Sequence, residues 1–457
     1  MATPLDVVIL AGGKGVRMRS RIPKVLHPLA GLPLLEHVLH TASSLAPHRT
    51  VVVVGQGGEE IKKAFSNRDL LFIDQGVPLG TGHAVLAARA AISSPIFLVL
   101  PGDVPLAPPE ALRALFDFHL ARELLASFLT VKFPDPGDYA RVLRREGRVM
   151  RVIEPKGASP EELSIREADS GVWCLSNASA LWEALERLPP GESQGEHSLA
   201  GLVEELAPHG RVDALLWPTP MDLLGVKDRA DLARLEGILR ARITARLMEA
   251  GVSIPNPNAV YLSPYVQVGA DTVLHPGTYL LGNTKVGEGC EIGPNAYLID
   301  SQVEAGVKVW FSVLEGAQVD PGARIGPFAH LRPGARVGPR ARVGNFVEVK
   351  NATLGEGVKA GHLAYIGDAE VGPQANIGAG AITCNYDGIK KYRTEIGPGA
   401  FIGSNSALVA PVRIGEGAYV GAGSVITEDV PPFALALGRA TQTIKPNWAK
   451  ERREGRK

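Results

Sequence analysis

The feature that most constrains this chain is a six-residue period in its C-terminal part. Between Ile396 and Ile426 an aliphatic residue recurs at every sixth position, and glycine follows four of them. This period matches neither the 3.6 residues of a helical turn nor the alternation of a strand, so it indicates a repeat. Residues 286–292, 325–343 and 371–377 keep the same step. We predict a parallel β-helix, with the aliphatic residue facing the axis and the glycine allowing a tight corner through its free φ.

The repeat is long enough for a complete solenoid domain. Three steps of six residues close one triangular coil of about 18 residues, so residues 258–430 suffice for roughly nine or ten coils. With stacked strands ~4.8 Å apart, the prism is about 45 Å long. Glycine-rich disorder is a poor alternative because disordered segments do not keep aliphatic residues in phase.

The N-terminal part has a different pattern, in which apolar strands alternate with helical segments. The predicted strands are 5–10, 51–55, 70–74 and 95–103. This alternation predicts an α/β fold with a doubly wound, Rossmann-like sheet, whose ligands bind at the carboxyl ends of the strands.

A helical arm joins the two parts. From Asp228 onwards, leucine and isoleucine recur every three or four residues, and Gly251 ends the pattern. The prolines and asparagines of 253–258 prevent a continuation. We therefore predict three segments, which are an α/β domain at 1–227, a helical arm at 228–252, and a β-helix domain with a basic tail at 253–457.

Composition argues against several classes of partner. The 48 basic and 48 acidic residues cancel, so the charge gives no footprint for nucleic acid. Three widely spaced cysteines predict neither a disulfide framework nor a zinc site and favour a reducing cytoplasm. No apolar run approaches the ~18–20 residues of a membrane span, and no basic region precedes the apolar N-terminal segment. We expect a cytoplasmic protein without a membrane or nucleic-acid partner.

A glycine-rich turn, AGGKGVRM, follows the first predicted strand. The spacing of Gly12, Gly13 and Gly15 fits neither of the common phosphate-binding templates, GxxxxGK[ST] and GxGxxG. Such a turn lets the backbone approach a phosphate closely, and Lys14 and Arg17 add positive charge. On its own it is either a phosphate cradle or a plain turn.

Two residues further along support the phosphate interpretation. Lys24 follows the glycines in RIPKVLHPLAG, although an isolated lysine is often an ordinary surface residue. Asp103 ends an apolar strand in LPGD, where its carboxylate is either a Mg²⁺ ligand for nucleotide phosphates or a solvated turn residue.

The six-residue period is interrupted in one stretch, which is a candidate for a second site. Residues 383–395, TCNYDGIKKYRTE, carry too many charges and amides to line a solenoid core, and loops on a rigid scaffold commonly carry function. His362 lies in KAGHLAY among glycines and aliphatic residues. A lone histidine is more often structural, but the nearby lysines, asparagines and tyrosine favour a general base beside a site for an anionic sugar phosphate.

At these motifs the chain resembles a known enzyme family. The stretches LAGGKGVRM, PKVLHPLAG and LGTGHA and the strand end LPGD are similar to sugar-phosphate nucleotidylyltransferases. With the hexapeptide repeats, they resemble the bifunctional N-acetylglucosamine-1-phosphate uridylyltransferases and glucosamine-1-phosphate N-acetyltransferases over nearly the whole chain. The resemblance implies acetylation of glucosamine-1-phosphate by acetyl-CoA. Mg²⁺-dependent transfer of UMP from UTP then gives UDP-N-acetylglucosamine and pyrophosphate for cell-envelope precursors.

The resemblance also implies a left-handed β-helix, a homotrimer with active sites between subunits, and roles for individual residues. In the uridylyl half, Asp103 is the metal ligand. The positions that match the site for uridine and sugar phosphate are Leu10, Ala11, Gly12, Gly13, Arg17, Lys24, Gln75, Gly80, Thr81, Gly102, Asp103, Ala140, Glu154 and Asp169.

Three positions depart from the family pattern. Ala140 replaces a glycine, Asp169 replaces an asparagine, and Lys227 replaces the asparagine that is the second metal ligand. An ammonium group cannot ligate Mg²⁺. Three alternatives remain: Lys227 replaces part of the metal's charge, the adjacent Asp228 moves in, or the uridylyl half is weakened. We expect activity to be retained because the phosphate turn and Asp103 are present.

In the acetyl-transfer half the family motifs are intact, and His362 matches the general base. The residues that match the pocket for the acetyl acceptor are Arg332, Lys350, Tyr365, Asn376 and Lys391. Those that match positions in contact with acetyl-CoA are Ala379, Asn385, Tyr386, Ser404, Ala422 and Arg439.

Three hypotheses therefore stand at the level of sequence. The first is the bifunctional enzyme. The second is an acetyltransferase whose uridylyl half is impaired by Lys227. The third is a nucleotide-sugar pyrophosphorylase whose β-helix is only a scaffold for trimerisation and regulation. His362, Lys350 and the loop 383–395 argue against the third, because a scaffold has no use for them.

Overall fold

The structure is a computed structural model that describes residues 3–13, 15–188 and 197–455. The chain divides into two compact units, one up to Leu239 and one from Arg240 onwards. Among the residues that the structure describes, none of the helices combines the length and the apolar character that a membrane span requires.

The first unit is built on a mixed β-sheet with helices around it. Its strands are β1 (Leu5–Leu10), β2 (Pro28–Leu29), β3 (Leu32–Pro33), β4 (Arg49–Val54), β5 (Leu71–Asp74), β6 (Ile96–Pro101), β7 (Ala126–Lys132), β8 (Arg141–Arg145), β9 (Arg148–Ile153), β10 (Glu167–Ser176) and β11 (Val212–Leu216). Its helices are α1 (Leu34–Ser43), α2 (Gly58–Ala64), α3 (Thr81–Ala88), α4 (Pro109–Ala121), α5 (Pro160–Leu163), α6 (Ser179–Glu186) and α7 (Leu202–Leu206).

The sheet has the strand order β11-β7-β10-β6-β1-β4-β5, with the β8–β9 hairpin attached to β10, while β2 and β3 pair separately. Strands β1, β4, β5 and β6 run parallel, as their near-continuous apolar runs predict. Strand β10 is antiparallel to both β6 and β7, an insertion that the alternating pattern does not predict.

Each face of this sheet covers its own apolar core. On β1, Val7 and Ile9 belong to one buried cluster and Val8 to the other. On β4, Val52 and Val53 alternate in the same way. This alternation follows from the two-residue period of a strand, and helices on both faces supply the opposing apolar side chains.

Helix α8 (Arg229–Glu249) lies where the arm is predicted, and the division between the two units falls inside it. The Asp228 carboxylate begins the helix by accepting hydrogen bonds from the N–H groups of Ala230, at 2.8 Å, and Asp231, at 3.0 Å. Gly251 follows its end with a φ of +90°, a conformation that favours glycine.

The second unit is a left-handed parallel β-helix. Its strands are β12 (Val260–Leu262), β13 (Gln267–Val268), β14 (Val273–Leu274), β15 (Thr278–Leu281), β16 (Lys285–Val286), β17 (Glu291–Ile292), β18 (Tyr297–Ile299), β19 (Gln302–Val303), β20 (Lys308–Val309), β21 (Val313–Glu315), β22 (Gln318–Val319), β23 (Arg324–Ile325), β24 (His330–Leu331), β25 (Arg336–Val337), β26 (Arg342–Asn345), β27 (Glu348–Lys350), β28 (Thr353–Leu354), β29 (Lys359–His362), β30 (Tyr365–Gly367), β31 (Ala369–Val371), β32 (Asn376–Ile377), β33 (Ile382–Cys384), β34 (Thr394–Ile396), β35 (Phe401–Ile402), β36 (Ala407–Val409), β37 (Val412–Ile414), β38 (Tyr419–Val420), β39 (Val425–Ile426) and β40 (Leu435–Ala436). A short helix, α9 (Trp448–Arg453), lies in the basic tail.

These strands form the three faces of a prism. Face 1 runs from β12 to β39 and has 10 strands, face 2 runs from β13 to β37 and has 9, and face 3 runs from β14 to β40 and has 10. All pairs are parallel and join successive coils, which agrees with the predicted nine or ten coils.

The predicted inward-facing residues are buried. All six aliphatic residues from Ile396 to Ile426 are at most 6% exposed. The reason predicted for the glycines that follow them needs correction. At Gly397 and Gly403 φ is not positive. An added Cβ would instead lie 2.5 Å from a backbone nitrogen of the next coil, so these positions require glycine because neighbouring coils approach closely.

Candidate functional site

The glycine-rich turn after β1 is held between two neighbouring strands. The N–H of Ala11 donates to the carbonyl of Val53 at 2.8 Å, and the N–H of Gly102 donates to the carbonyl of Leu10 at 2.9 Å. The turn is therefore fixed at the carboxyl ends of β1, β4 and β6, the edge of the sheet at which α/β proteins bind their ligands.

The turn also lies against two side chains that were predicted for the same site. A Cβ at Gly12 would collide with the amide of Gln75, and a Cβ at Gly15 would lie 2.8 Å from that of Lys24. Within the described chain, the buried Oε1 of Gln75 has no hydrogen-bond partner. At Gly13 an added Cβ meets nothing, so this glycine faces open space.

Positive side chains at this edge are paired with carboxylates. Lys24 Nζ forms an ion pair with the Asp103 carboxylate, and both side chains are about one-fifth exposed. Arg17 forms a second, more exposed pair with Asp138 at 3.2 Å. Lys14, the other cation predicted for the turn, lies outside the described residues.

Lys227 lies beside this cluster. Its Nζ is 3.8 Å from the centre of the Tyr139 ring. The N–H of the preceding Val226 donates to the carbonyl of Asp103 at 2.9 Å, which fixes the backbone there. The pKa of Lys227 is lowered, first by loss of solvent around the ammonium, and the charge of Arg17 adds to the lowering.

A third group of predicted residues lies around β10. The N–H of Asp169 donates to the carbonyl of Ala140 at 3.0 Å, and its Oδ1 accepts from the N–H of Gly171 at 2.8 Å. Burial raises the pKa of Asp169 to about 7, and the negative charge of Glu154 adds to the rise. Ala140, Glu154 and Asp169 are therefore neighbours, as predicted for the sugar side.

Gly80 and Thr81 mark the start of α3. Gly80 has a φ of +105°, and an added Cβ there would lie 2.5 Å from the carbonyl oxygen of His197. The hydroxyl of Thr81 accepts from the N–H of Leu199 at 2.9 Å. These two residues thus contact the segment that begins at 197, and no hydrogen bond in the described chain joins them to Lys24 or Asp103.

A metal at this edge would have few protein ligands. Among the described residues there is no group of three or more His, Cys, Asp or Glu side chains that could hold a metal ion. Asp103 offers one carboxylate. This fits Mg²⁺ only in the manner usual for nucleotide enzymes, where one or two carboxylates share the ion with substrate phosphates and water.

In the β-helix, His362 lies at the end of β29 and is exposed. Its Nδ1 is hydrogen-bonded to Oδ1 of Asn345, which occupies the paired position one coil earlier. Because an amide oxygen only accepts, Nδ1 is the donor, and in the neutral imidazole the lone pair is then on Nε2. Asn345 therefore orients the ring with Nε2 directed away from this hydrogen bond.

Three cations come together at face 1, two from its strand ends and one from the loop 383–395. Lys350 and Lys391 are neighbours, and the pKa of Lys350 is lowered, first by Lys391 and then by the charge of Arg332. Arg332 also pairs with Glu348 at 2.8 Å. Like charges that face each other are unfavourable unless an anion binds between them. The arrangement is that of an anion site.

The remaining residues of this face form a hydrogen-bonded frame. Asn385 donates through Nδ2 to the Asp368 carboxylate, and the same nitrogen lies 3.4 Å from the Tyr365 hydroxyl. Asn351 donates to the other oxygen of Asp368 at 2.6 Å. The base of the loop 383–395 is thereby tied to the strands that carry the cations.

The residues predicted to contact acetyl-CoA are distributed over several coils. Ala379, Ser404 and Ala422 follow one another along a corner, where the carbonyl of Ser404 accepts from the next coil at 2.8 Å. Asn376, which was predicted for the acetyl-acceptor pocket, is on face 3, on β32. Tyr386 is exposed in the loop. Arg439 lies beyond β40 and forms no ion pair or side-chain hydrogen bond within the described residues.

Comparisons with known proteins match both units. The family model of the MobA-like NTP transferase domain matches residues 7–206, and that of the bacterial transferase hexapeptide (six repeats) matches 265–300 and 393–428. The Bifunctional protein GlmU of Thermus thermophilus is 48% identical over 446 residues, which cover 97% of this chain and 98% of the relative. Those of Fervidobacterium nodosum and Solibacter usitatus are each 44% identical, covering 98% and 99% of this chain and 98% of each relative.

The chain belongs to the bifunctional GlmU family. As a GlmU-family protein it is both a nucleotidyltransferase and an acetyltransferase, with a nucleoside triphosphate and acetyl-CoA as substrates. Of the three hypotheses that the sequence allows, membership supports the bifunctional enzyme.

Sequence reasoning missed three residues of the GlmU-family sites. Asn345, which orients His362, is 17 residues before it, and alignment of the stretches GNFVEV and GHLAYI one coil apart would have paired them. Asp368 orders Asn385, and Tyr139 contacts Lys227. No repeat or motif marks these last two, because their contacts come from loops.

Proposed function

We propose that the β-helix unit transfers the acetyl group from acetyl-CoA to the amine of glucosamine-1-phosphate with His362 as general base. The observation that supports this assignment is the convergence of Lys350, Lys391 and Arg332 in the same part of the β-helix that carries an exposed imidazole oriented by Asn345. The cations hold the substrate phosphate, and Tyr365 and Asn376 complete the acceptor pocket. This geometry suits an acceptor that combines an anion with a nucleophile.

In this proposal His362 Nε2 takes a proton from the substrate amine while the nitrogen attacks the thioester carbonyl of acetyl-CoA. The C–S bond then breaks, the amide forms, and the coenzyme A thiolate leaves with the proton that the imidazole returns. Acetyl-CoA lies along the corner of Ala379, Ser404 and Ala422, with Asn385, Tyr386 and Arg439 at its other contacts.

The first unit then transfers UMP to the acetylated product. A phosphate oxygen of N-acetylglucosamine-1-phosphate attacks the α-phosphorus of UTP, and the bond to the β-phosphate breaks, so that pyrophosphate leaves. No protein nucleophile is required, because the protein accelerates the reaction by positioning the two substrates and by supplying positive charge. The turn Leu10–Gly13 and Gly102 approach the nucleotide, and Lys24 and Arg17 exchange their carboxylate partners for phosphates.

Two groups in the first unit are suited to recognise the substrates' neutral parts. Gln75 Oε1, which lacks a partner within the described chain, accepts from the uracil ring N–H, beside Gly80 and Thr81. Glu154, Asp169 and Ala140 line the sugar side. Asp103 would hold Mg²⁺ together with the substrate phosphates, and the ion would supply positive charge that neutralises the phosphates.

We also propose a homotrimer. Face 1 and face 3 meet at a corner where Phe311, Phe328, Phe346 and Leu363 lie one above the other, all between 39% and 59% exposed. The Phe311 and Phe328 rings are tilted with centroids 5.6 Å apart, and those of Phe328 and Phe346 are stacked at 5.5 Å. Leu363 is adjacent to His362, so a second subunit that covers this apolar column would also close the acetyl-transfer site. Sedimentation at micromolar concentration tests this, and a monomer contradicts it.

A cytoplasmic location completes the proposal, since all three cysteines, Cys174, Cys290 and Cys384, are free. The function is tested by incubating the protein with glucosamine-1-phosphate, acetyl-CoA, UTP and Mg²⁺ and identifying the products by mass. We expect UDP-N-acetylglucosamine. Release of free thiol without pyrophosphate would leave only the acetyl-transfer assignment standing.

A further inference from the structure

Lys227 is a fixed cation at the edge where the nucleotide is proposed to bind. Two backbone hydrogen bonds hold the chain there, from Val226 N–H to the Asp103 carbonyl at 2.9 Å and from Lys227 N–H to the Asp231 carboxylate at 2.9 Å. The side chain is held as well, because its ammonium lies over the Tyr139 ring.

The ring that holds Lys227 is itself fixed. The Tyr139 hydroxyl accepts a hydrogen bond from the N–H of Gly225 at 2.8 Å, and its ring packs against Phe133 with centroids 5.2 Å apart. An ammonium on a partly buried aromatic face has already lost part of its hydration. It therefore needs less reorganisation to bind an anion than a lysine in solvent.

The neighbouring carboxylates have other partners. Asp138 pairs with Arg17 and Asp103 pairs with Lys24. Asp231 accepts from the Lys227 backbone and not from its ammonium. Within the described residues, Lys227 Nζ forms no ion pair, although the charges of Asp138, Asp231 and Asp103 act on it, so an anionic ligand can contact it without breaking a salt bridge.

The structure also bears on two of the alternatives left open by the sequence. The Asp228 carboxylate accepts hydrogen bonds from the N–H groups of Ala230 and Asp231, both through Oδ1. Those bonds begin α8 and are worth about 1 kcal/mol together in typical helices. Oδ1 of Asp228 is therefore engaged in capping, whereas the Lys227 ammonium lies over the Tyr139 ring, where the charge of Asp103 acts on it.

We propose that Lys227 binds the phosphates of UTP directly, so that this chain binds the nucleotide without a divalent cation. This inference rests on the proposed placement of UTP at the carboxyl ends of β1 and β6. Lysine is a common phosphate ligand that acts as a compact point charge. Here it stands where the resemblance seen in the sequence implies a metal-ligating asparagine, and it supplies a fixed positive charge at that position.

The test is calorimetric binding of UTP to the full chain, in EDTA and again in Mg²⁺. Lys227→Met removes the charge and keeps an unbranched side chain against Tyr139. Lys63→Met, on the exposed part of α2, is the matched control. In EDTA we expect the native chain and the control to bind UTP with equal affinity. Lys227→Met should bind UTP roughly tenfold more weakly, because a hydrogen bond to a charged group usually contributes about this much to affinity.

Lys227→Asn sharpens the test with a readout other than activity. Its amide oxygen can ligate a metal, so Mn²⁺ bound with UTP, followed by electron paramagnetic resonance, should bind more tightly than in the native chain. Equal binding of metal-free UTP by the native chain and Lys227→Met would overturn the inference, as would native binding of UTP only in Mg²⁺. Absence of UTP binding in both buffers would instead refute the proposed nucleotide site.

Discussion

The two candidate sites differ in how they carry charge before any substrate is bound. In the first unit two of the three cations of the site are paired with carboxylates, Lys24 with Asp103 and Arg17 with Asp138. In the β-helix, Lys350 instead faces Lys391, and within the described residues Arg332 is the one cation of the three that forms an ion pair. A nucleotide must therefore displace ion pairs in the first site, whereas an acceptor phosphate relieves a repulsion in the second.

The sites also differ in what positions their residues. In the first unit the residues lie on turns and loops after strands, and tertiary hydrogen bonds hold them. In the β-helix the register of successive coils sets which residues are neighbours, so that Asn345 and His362 lie at paired positions of adjacent strands. A substitution in the β-helix should therefore disturb fewer neighbouring residues than one in the first unit. The four predictions below test these contrasts.

The largest expected effect is the loss of the general base. His362→Ala should lower acetyl transfer by about 10²–10⁴-fold and leave uridylyl transfer from pre-formed N-acetylglucosamine-1-phosphate unchanged. Thiol release and pyrophosphate release, measured separately, check this. His275→Ala, a histidine that pairs with Glu291 at 3.5 Å, is the matched control and should change neither rate. Native acetyl transfer by His362→Ala would remove this histidine from the mechanism.

Next in size is the contribution of the facing cations. Lys391→Ala should raise KM for glucosamine-1-phosphate roughly tenfold, because a hydrogen bond to a charged phosphate is lost. It should also raise the pKa of Lys350, since Lys391 is the largest cause of its lowering. The chemical shift of the Lys350 ammonium against pH measures this second effect. A Lys350 pKa that stays the same or falls would show that the two lysines do not interact.

The third effect is that of a positioning residue. Asn345→Ala should lower kcat for acetyl transfer about tenfold with little change in either KM, because the imidazole loses the acceptor that fixes its tautomer. Asn345→Asp retains an acceptor for Nδ1–H and should recover most of the rate. If Asn345→Asp and Asn345→Ala were equally slow, the hydrogen bond would have no role in orienting His362.

The contrast between the units also explains how much the sequence could predict. A period of six translates directly into inward-facing positions, so the buried residues, the coil number and the loop 383–395 followed from spacing. In the first unit, strands β1, β4, β5 and β6 were predicted because they are continuously apolar. The antiparallel placement of β10 was not, because strand partners are chosen by tertiary packing.

The same distinction applies to single residues. Lys24, Asp103 and the turn Leu10–Gly13 were predicted from motifs, and the structure brings them together. The approach of Lys227 to Tyr139 joins two loops 88 positions apart in the sequence, and no local pattern encodes such a contact. The reason predicted for the glycines of the β-helix, a free φ, was wrong. The close approach of neighbouring coils is a contact between repeats, and the sequence of one repeat does not encode it.

The smallest expected effect concerns stability in the first unit. The pKa of Asp169 is raised to about 7 from its ordinary value of 3.8, so the folded state holds the proton more tightly than the unfolded chain does. Stability therefore falls as pH rises from about 4 to about 7 and stays reduced above that. Asp169→Asn has no such loss, and its amide oxygen can still accept from the Gly171 N–H.

Calorimetry of the full chain should accordingly show a higher unfolding temperature for Asp169→Asn than for the native chain at pH 8, on the order of a few degrees, and little difference at pH 4. Asp213→Asn is a control for which we expect the opposite change in stability. Asp213 pairs with Arg122 and with Arg144, so its removal should destabilise the protein at pH 8. If Asp169→Asn were destabilising at pH 8, the Asp169 carboxylate would be stabilised by its surroundings. The negative charge of Asp169 would then be balanced by neighbouring groups, as the charge of Lys24 is balanced by Asp103.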